Sequence, residues 1–412
     1  MKKTKNKRLR ILFATFSPYR NGKRESTNGN VEPMVKYFGP RVSNFILLDQ
    51  PHTGSDEIIP HVEVYKSRKR KKAYILNMWY LRPLYWVLGR IRTTDDDTNL
   101  LFKIRDILSV LAVRIQEGGY FDVFIGFESV NALAGIILKK VGLVKTVVYY
   151  VSDYSPVRYQ NSMFNFFYVL LDRICCYWSD YIWDVSRAMH PARIEAGLIA
   201  NKSAPVVHVP NGLEKRFIRH ISEKHRIPHS LVFMGTLGIE NGPDIAVASL
   251  PLVLKKIPDV TLHIIGKGDK DLERLKRLAM QANLENQIIF DGYIKDTDRM
   301  FATIRRFALA LAPYRKIKNS VRWYGDSLKL RAYTAAGVPV IVSSVPPLGR
   351  ELADIGAAIV AEDSAEGFAR EIIRVFNDER AYSGLVKSAV EYGKHQAWER
   401  TYSQAMKEMP VL

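Results

Sequence analysis

The residues best suited to chemistry lie in the second half of the 412-residue chain, where glycines follow apolar runs. One such run ends at Gly235, Thr236 and Gly238, just before a predicted helix, and a second turn of this kind contains Lys267. Small residues at these turns let backbone amides and a helix N-terminus approach a phosphate closely. The spacing is not G-x-G-x-x-G, and no acidic residue follows at a second strand end, which argues against a dinucleotide. A purely structural role for these glycines is the alternative.

The most informative segment is residues 312–340. A strand ends at Tyr314, a loop follows, and a helix begins around Ser327, Leu328 and Lys329. The Ser327 hydroxyl and the first-turn amides are donors at the positive end of that helix, and Lys329 adds a point charge. This combination suits a diphosphate, while Tyr314 is placed to face a base or a sugar ring. The alternative is an ordinary capped helix with an exposed lysine.

Short apolar runs alternate with helical patterns along the whole chain, which is typical of β-α-β units around parallel sheets. Strands are expected at 10–16, 44–48, 121–126, 146–151, 181–185, 206–209, 230–235, 261–266, 287–290, 307–312, 338–343 and 357–360. Helices are expected at 31–38, 100–117, 130–141, 163–178, 187–196, 243–256, 269–283, 296–305, 328–336 and within 364–409.

The turn at residues 210–212 separates two repeats of this scheme. We therefore expect two doubly wound α/β domains, at 1–209 and 210–393, with a helix in 394–412 that packs back on the first. Ligands of such sheets bind beyond the carboxyl ends of the strands. The crevice between the two domains is accordingly the expected active site.

The order of strand, Gly-Thr, Ser-Leu-Lys-Leu and Tyr-Thr-Ala-Ala-Gly-Val-Pro-Val-Ile resembles the donor-binding half of GT-B glycosyltransferases, including the broad group 1 family. The resemblance covers nearly the whole chain in architecture and about residues 230–345 in motif. It implies two facing Rossmann-like domains, with a nucleotide sugar in the second and the acceptor in the first. It also implies that Gly235 and Gly238 lie near the diphosphate and that Ser327 and Lys329 bind it. Tyr314 would then line the nucleobase pocket.

The sequence departs from the large retaining branch of these enzymes. That branch carries E-x7-E, and the two positions hold Tyr324 and Ala332 here, so a retaining mechanism loses support. A Ser-x-Lys motif shortly after Tyr314 is more similar to the inverting bacterial polysaccharide glucuronosyltransferases of the xanthan type.

An inverting transfer needs one general base that deprotonates the acceptor hydroxyl. Asp153 follows the apolar run at 147–151 and is the first candidate, whereas Glu128 follows the run at 121–126 and is the second. For Asp153 the alternative is a helix cap or an ion pair with Arg158.

The formal charge of +19 is uneven along the chain. Residues 1–210 contain 31 basic and 18 acidic residues, a net charge of +13, and residues 211–412 contain 30 and 24, a net charge of +6. The basic run at 66–72 precedes an aromatic segment at 73–89, which Asn and Pro interrupt and which is too short to span a bilayer. Basic residues beside apolar aromatics favour an in-plane membrane anchor, with Trp79, Tyr80 and Trp86 at the interface. A core helix with a solvated basic flank is the alternative.

The basic loop after the first strand contains Arg20, Lys23 and Arg24, which we expect to meet a lipid diphosphate unless the loop is simply solvated. Asp95, Asp96 and Asp97 follow no predicted strand and are expected to form an exposed turn. Histidines and cysteines show no metal-ligand spacing. No metal and no cofactor are therefore expected.

Together these features predict a UDP-sugar-dependent, inverting glycosyltransferase. It would move glucuronic acid or another hexose to a lipid-linked saccharide during surface polysaccharide assembly. Its expected location is the cytoplasmic face of an anionic membrane, because no signal core follows the basic N-terminus and the paired cysteines are typical of buried thiols. A sugar-nucleotide epimerase on the same fold is one alternative. A nucleic-acid-binding protein is another, although no recognised nucleic-acid module is present.

Overall fold

Each half of the chain folds around its own β-sheet in the computed structural model of the protein. The structure describes residues 9–25, 29–52, 54–66, 69–90 and 100–409. One unit contains the chain up to Pro210 together with the segment from Tyr402 onward, and the other contains Asn211–Thr401. The division thus lies one residue after the expected boundary, and the return to the first unit begins at Tyr402.

The first unit contains an eight-stranded sheet in the order β10-β9-β8-β7-β1-β4-β5-β6. Its inner strands pair in parallel and are rich in Val, Ile, Leu and Phe, because both of their faces are buried. The strands, including a two-residue hairpin pair outside this sheet, are β1 (Arg10–Ser17), β2 (Tyr19–Arg20), β3 (Lys23–Arg24), β4 (Asn44–Pro51), β5 (His61–Lys66), β6 (Lys69–Ile75), β7 (Phe121–Phe127), β8 (Val144–Val151), β9 (Tyr181–Asp184) and β10 (Val206–His208). The helices are α1 (Val31–Phe38), α2 (Arg82–Leu88), α3 (Leu100–Glu117), α4 (Glu128–Lys140), α5 (Ser162–Trp178) and α6 (Met189–Glu195).

The described part of the basic run from residue 69 onward forms the start of an edge strand, whereas the alternative considered from the sequence was a solvated flank of a core helix. β6 pairs antiparallel with β5 and presents mostly exposed side chains. Lysines on an edge strand discourage pairing with another chain, which explains their concentration here. The aromatic segment then forms a short 3-10 turn at Trp79–Leu81 and the helix α2.

The second unit contains a six-stranded parallel sheet in the order β13-β12-β11-β14-β15-β16. Its strands are β11 (Ile227–Met234), β12 (Thr261–Ile265), β13 (Ile288–Gly292), β14 (Phe307–Ala312), β15 (Val340–Val342) and β16 (Ala358–Val360). Its helices are α7 (Pro243–Leu254), α8 (Asp269–Gln281), α9 (Thr297–Ile304), α10 (Leu328–Ala335), α11 (Pro347–Asp354), α12 (Ala365–Phe376) and α13 (Glu379–Gly393).

The C-terminal stretch is not continuous. It consists of α12, α13 and a final helix α14 (Trp398–Lys407). The first interruption lies between Phe376 and Glu379, where the Asp378 side chain caps the N-terminus of α13. Tyr402, on α14, is buried in the first unit against Phe38 and Trp183. Among the described residues, no helix has both the length and the apolar character that crossing a bilayer requires.

Candidate functional site

The glycine turn after β11 packs closely against the turn that follows β12. Gly235 has φ 141°, a conformation that favours glycine. A Cβ on Gly266, at the end of β12, would lie 1.9 Å from the Gly235 carbonyl oxygen. The Thr236 hydroxyl accepts a hydrogen bond of 2.6 Å from the side-chain amide of Asn241. The turn is therefore fixed by both neighbours, and Gly238 leads from it into the start of α7.

Lys329 lies beside this turn and is only 8% exposed. Its Nζ is 4.6 Å from the centre of the Phe233 ring and 4.4 Å from that of Tyr314. A Cβ on Gly235 would come within 3.2 Å of the same Nζ. The polar partner recorded for the ammonium is the Asn241 side-chain oxygen, at 3.3 Å. This lysine thus sits against an aromatic and backbone wall, beside an amide rather than a carboxylate.

Burial is the main reason that the pKa of Lys329 falls from its ordinary value to about 7. The nearby guanidinium of Arg322 lowers the pKa further, whereas the more distant carboxylate of Glu240 acts in the opposite direction. A cation that has lost its hydration without gaining a close counter-ion favours the arrival of an anion.

The helix α10 presents its N-terminus at the same place. Ser327 is its cap, and its Oγ accepts a hydrogen bond from the Leu330 amide at 3.5 Å and hydrogen-bonds the Tyr314 hydroxyl at 2.8 Å. Leu328 exposes its side chain, so this residue offers the site its backbone amide alone. The cap, the first-turn amides and Lys329 together make a positively polarised cluster of donors, whose chemistry suits a phosphate or diphosphate.

Tyr314 has a different place from the one that the sequence predicted. Its ring is 3% exposed and contacts Lys329 on one side and Arg322, at 5.3 Å from the ring centre, on the other. Burial raises the pKa of Tyr314 to about 12, so its hydroxyl remains protonated and able to donate. A ring so enclosed has little surface on which a base can stack. We therefore reassign it from the nucleobase pocket to the support of Ser327 and Lys329.

Two arginines of the second unit, Arg315 and Arg322, are paired with carboxylates. Arg322 donates to Glu240 at 2.5 Å, and Arg315 pairs with Asp244. The Lys267 ammonium lies 5.1 Å from the centre of the Tyr293 ring, at the neighbouring turn.

Sequence reasoning missed two supports of this site. Asn241, which links Lys329 to Thr236, lies in a short 3-10 turn before α7. Asp326 receives hydrogen bonds from the Asn211 amide at 2.9 Å and from buried Arg331 at 2.6 Å, which fixes the loop before α10. The Asn-Gly-Pro sequence at 241–243 is a turn signal that marks the first of them.

The two candidate bases lie in the first unit, at the carboxyl ends of neighbouring strands. Glu128 follows β7 with φ 61°, an unusual conformation for a residue with a Cβ. Its Oε1 accepts hydrogen bonds from the Ser152 amide at 2.9 Å and the Ser152 hydroxyl at 2.8 Å. Burial, reinforced by the charge of Asp153, raises the pKa of Glu128 to about 7.

Asp153 is less enclosed, and its carboxylate accepts a hydrogen bond of 2.6 Å from Arg158. This is the ion pair that the sequence left open as the alternative to catalysis. The Glu128 carboxylate, by contrast, accepts its recorded hydrogen bonds from the neutral amide and hydroxyl of Ser152, and burial raises its pKa to about 7. Of the two residues, Glu128 therefore has the environment better suited to proton transfer near neutral pH.

The basic loop of the first unit divides into exposed and engaged residues. Arg20 and Lys23 are exposed, with Arg20 3.4 Å from Glu25. Arg24 was expected to meet a lipid diphosphate, but its guanidinium contacts Asp49 at 2.5 Å and Glu63 at 2.9 Å. Because these carboxylates already neutralise it, we remove Arg24 from the acceptor residues.

The aromatic residues expected at a membrane are largely solvent-exposed. Trp79 is 77% exposed, Trp86 is 61% exposed and Tyr80 is 38% exposed. The Arg90 guanidinium lies 3.3 Å from the centre of the Trp86 ring. Tryptophans this exposed are not packed as core residues.

The part of the chain that the structure describes contains no cluster of three or more His, Cys, Asp or Glu side chains arranged to hold a metal ion. The expected acidic turn at 95–97 lies outside the described residues.

Sequence comparison matches residues 228–378 to the family described as "Glycosyl transferases group 1". The chain is 27% identical over 209 residues to phosphatidyl-myo-inositol mannosyltransferase of Mycolicibacterium smegmatis, which covers 49% of this chain and 50% of that protein. It is 25% identical over 163 residues to poly(glycerol-phosphate) alpha-glucosyltransferase of Bacillus subtilis, which covers 39% of this chain and 21% of that protein. The chain thus spans about half the length of the first relative and less of the second.

Solved structures are similar over almost the whole chain. HepE of Anabaena in complex with UDP has a TM-score of 0.68 at 13% identity, covering 98% of this chain and 100% of that one. Sucrose-phosphate synthase of Thermosynechococcus elongatus has a TM-score of 0.68 at 14% identity, covering 97% and 98%. HepE with UDP-glucose has a TM-score of 0.63 at 13% identity, covering 98% and 100%. These likenesses confirm the expected GT-B fold class.

Proposed function

Because residues 228–378 form a glycosyltransferase group 1 domain, we propose that the chain is a transferase that moves a sugar from a UDP-sugar to a lipid-linked saccharide. The observation that carries the proposal is the buried lysine Lys329 at a helix N-terminus, with an amide and two aromatic rings around it. A diphosphate supplies the missing negative charge, and as a leaving group it gains charge during transfer.

The donor assignment is supported by the solved relative that holds UDP and UDP-glucose. In this proposal the diphosphate contacts Lys329, Ser327 and the amides of the turn at Gly235. Glucuronic acid was the first expectation because of the basic charge of the chain. Arg315 and Arg322 are already paired with acidic residues, so the charges of these two arginines are compensated. We therefore propose a UDP-hexose, with UDP-glucose and UDP-glucuronic acid as the first two donors to compare.

We further propose Glu128 as the general base and Asp153 as a residue that tunes it. The Glu128 carboxylate takes the proton of the acceptor hydroxyl, the freed oxygen attacks the anomeric carbon, and the bond from that carbon to UDP breaks. UDP leaves with the electron pair, and the acceptor gains one sugar of inverted configuration. The proposal is supported by the pKa of Glu128, which lies near neutral pH.

The acceptor side of the proposal belongs to the first unit. Arg20 and Lys23 are exposed cations that suit a lipid diphosphate. Exposed Trp79 and Trp86 suit the interface of an anionic bilayer, which supports a peripheral position on the inner face of the cell membrane. We propose surface polysaccharide assembly as the process in which this acceptor is used.

The first experiment is a thermal-shift screen of the purified chain with UDP-glucose, UDP-glucuronic acid, UDP-galactose and, as a control, ADP-glucose. A ligand at 100 times its dissociation constant stabilises the folded state by about 2.7 kcal/mol. We expect a shift with at least one UDP-hexose that exceeds the shift with ADP-glucose. Failure of every UDP-sugar to shift the unfolding transition would contradict the proposal.

The second experiment compares the two carboxylates with the donor that the screen identifies. Glu128→Gln keeps the shape of the side chain but removes its basicity, so we expect kcat to fall about 100-fold to 10,000-fold with an unchanged donor dissociation constant. Asp153→Asn is expected to lower kcat less than Glu128→Gln does and to shift the acidic limb of the pH profile of kcat. Full activity of Glu128→Gln together with loss of activity in Asp153→Asn would return the base to Asp153.

A further inference from the structure

Helix α5 of the first unit has an apolar outer face. Its exposed residues include Met163, Phe164, Phe166, Phe167 and Leu170, each between 38% and 63% exposed. A surface helix of a soluble domain normally carries charges on this face. The charged residues of α5 are Asp172, which is buried, and Arg173, near its C-terminal end. A stretch of this kind marks a surface that binds something apolar.

A groove of about 410 Å³ lies against this helix. Its apolar lining consists of Val157, Phe166, Val169 and Leu170, with the ring of Tyr159 beside them. The guanidinium of Arg173 lines it as well. The groove thus combines a hydrocarbon-like wall with a cation, and its lining contains no acidic residue.

One wall of the groove is a loop that α5 itself holds in place. The Asn165 side chain accepts hydrogen bonds from the Arg158 amide at 2.8 Å and the Tyr159 amide at 3.1 Å, and it donates to the Pro156 carbonyl at 2.9 Å. This three-point attachment keeps the loop open beside the helix. The groove is therefore built into the fold of the first unit.

The same loop connects the groove to the proposed base. Arg158 lies between the groove residues Val157 and Tyr159 in the chain, and its side chain pairs with Asp153. The charges of Asp153 and Arg158 both act on Glu128. The groove and the carboxylates therefore share the loop at 153–159, through which a molecule in the groove can reach the surroundings of Asp153.

The cation of the groove is incompletely used. Arg173 donates from Nη2 to the Ala196 carbonyl, whereas its buried Nε has no hydrogen-bond partner within the described part of the chain. That Nε is buried, so what favours an anion is the position of Arg173 itself, a guanidinium that lines a groove without an acidic residue in its lining. The charge and the apolar wall together suit an amphiphile with an anionic head.

We propose that this groove binds the hydrocarbon chain of the lipid acceptor and so positions its sugar-bearing end at Glu128. The inference rests on the proposed transfer to a lipid-linked saccharide and deepens it, because it assigns the tail of the acceptor a binding site of its own. The occupant is the tail of a phosphate-bearing lipid rather than a second copy of the chain, since Arg173 complements an anionic head and the groove leads to the catalytic loop.

The first test is kinetic and uses two neighbouring phenylalanines of α5. Phe166 lines the groove, whereas Phe167 is similarly exposed but does not. Phe166→Ser should raise the KM for a long-chain acceptor by roughly tenfold or more, because apolar contact area with the tail is lost, and should leave the KM for a short-chain, water-soluble acceptor unchanged. Phe167→Ser is the matched control and should leave both KM values unchanged. Equal effects on the two acceptors, or no effect of Phe166→Ser, would overturn the proposal.

The second test does not depend on transfer. Dodecyl phosphate is titrated calorimetrically into the wild-type chain and into both variants, with inorganic phosphate as the comparison. We expect binding of dodecyl phosphate that Phe166→Ser weakens and Phe167→Ser does not, and weak or no binding of inorganic phosphate. Such binding without any sugar transfer would sustain the groove while contradicting the proposed function. Transfer without such binding, or a dimer in sedimentation that Phe166→Ser dissociates, would refute the groove as a lipid site.

Discussion

Both units of the molecule bury cations, and two of these, Arg193 in the first unit and Lys329 in the second, have opposite surroundings. In the first unit, Arg193 is 1% exposed and donates to Asp172 at 3.0 Å and to Asp184 at 2.7 Å. These two carboxylates raise the pKa of Arg193 above its ordinary value. In the second unit, Lys329 is nearly as buried but contacts an amide oxygen, and its pKa falls to about 7.

The difference separates a structural cation from a binding one. Arg193 on α6 ties Asp172 of α5 to Asp184 of β9, so its charge is satisfied within the fold. Lys329 has an amide oxygen rather than a carboxylate as its recorded hydrogen-bond partner, so its protonated form is not neutralised by a direct ion pair. Burying such a cation is costly unless a ligand completes the pair, which is why the pKa of the lysine falls and why we propose a binding role for it.

The largest expected effect is on the structural cation. Arg193→Met leaves Asp172 and Asp184 buried without their partner, which should lower the free energy of unfolding by about 3–5 kcal/mol. Urea denaturation measures it. Arg70→Met is the control, because Arg70 is exposed and 3.6 Å from Glu63, and such pairs contribute at most about 1 kcal/mol. Equal losses of unfolding free energy in the two variants would contradict the stabilising role assigned to the buried Arg193 network.

A smaller effect, of a different kind, is expected at the binding cation. Lys329→Met removes a charged hydrogen-bond donor, so the donor should bind about 1.5–3 kcal/mol more weakly, measured by calorimetry. The ligand-free protein should unfold at the same or a higher urea concentration, because a desolvated charge has been removed. Lys276→Met is the control, since Lys276 is exposed on α8 and pairs with Glu273. If ligand-free Lys329→Met lost as much unfolding free energy as Arg193→Met, Lys329 would be a structural cation like Arg193, which would contradict the comparison.

The smallest effect compares two serine caps of the second unit. Ser364 caps α12 through the Gly367 amide at 3.0 Å, whereas Ser327 caps α10 at the proposed donor site. Ser364→Ala should lower the unfolding free energy by about 0.5–2 kcal/mol and leave donor affinity unchanged. Ser327→Ala should also weaken donor binding by about 0.5–1.5 kcal/mol, the value of one hydrogen bond. Equal donor affinity in both variants would remove Ser327 from the site.

The elements that sequence patterns located best are those with strong periodicity. The predicted bounds of α1, α3 and β14 agree with the structure at both ends. The hairpin of β5 and β6 was missed because β6 is an exposed, lysine-rich edge whose identity depends on pairing with β5. Helix α11 was missed as well, because it begins at the second residue of the dipeptide Pro346-Pro347, which is a sequence signal for a turn.

The site was predictable where chain order alone brings residues together. Gly235, Ser327 and Lys329 meet because parallel strands end at one edge of a sheet, as the sequence predicted. Asn241 and Arg24 were not predictable in the same way, since their roles depend on partners fixed by packing. The ion pair between Arg24, on β3, and Asp49, on β4 of the large sheet, is an example. The near-neutral pKa of Glu128 likewise follows from burial rather than from residue type.

The central claim is that Lys329 gains its charge when a diphosphate binds. In the ligand-free protein its pKa of about 7 leaves it largely neutral at pH 8, and an adjacent anion raises that pKa toward its ordinary value. By the same linkage, the stability of the ligand-free protein rises with pH above about 7, because the unfolded chain holds this proton more tightly.

The direct measurement is calorimetric titration of UDP at pH 8 in two buffers of different ionisation enthalpy, which reports the protons taken up on binding. The account predicts an uptake approaching one proton for the wild-type chain and none for Lys329→Met. UDP binding to the wild-type chain without proton uptake, or equal uptake by the variant, would contradict it.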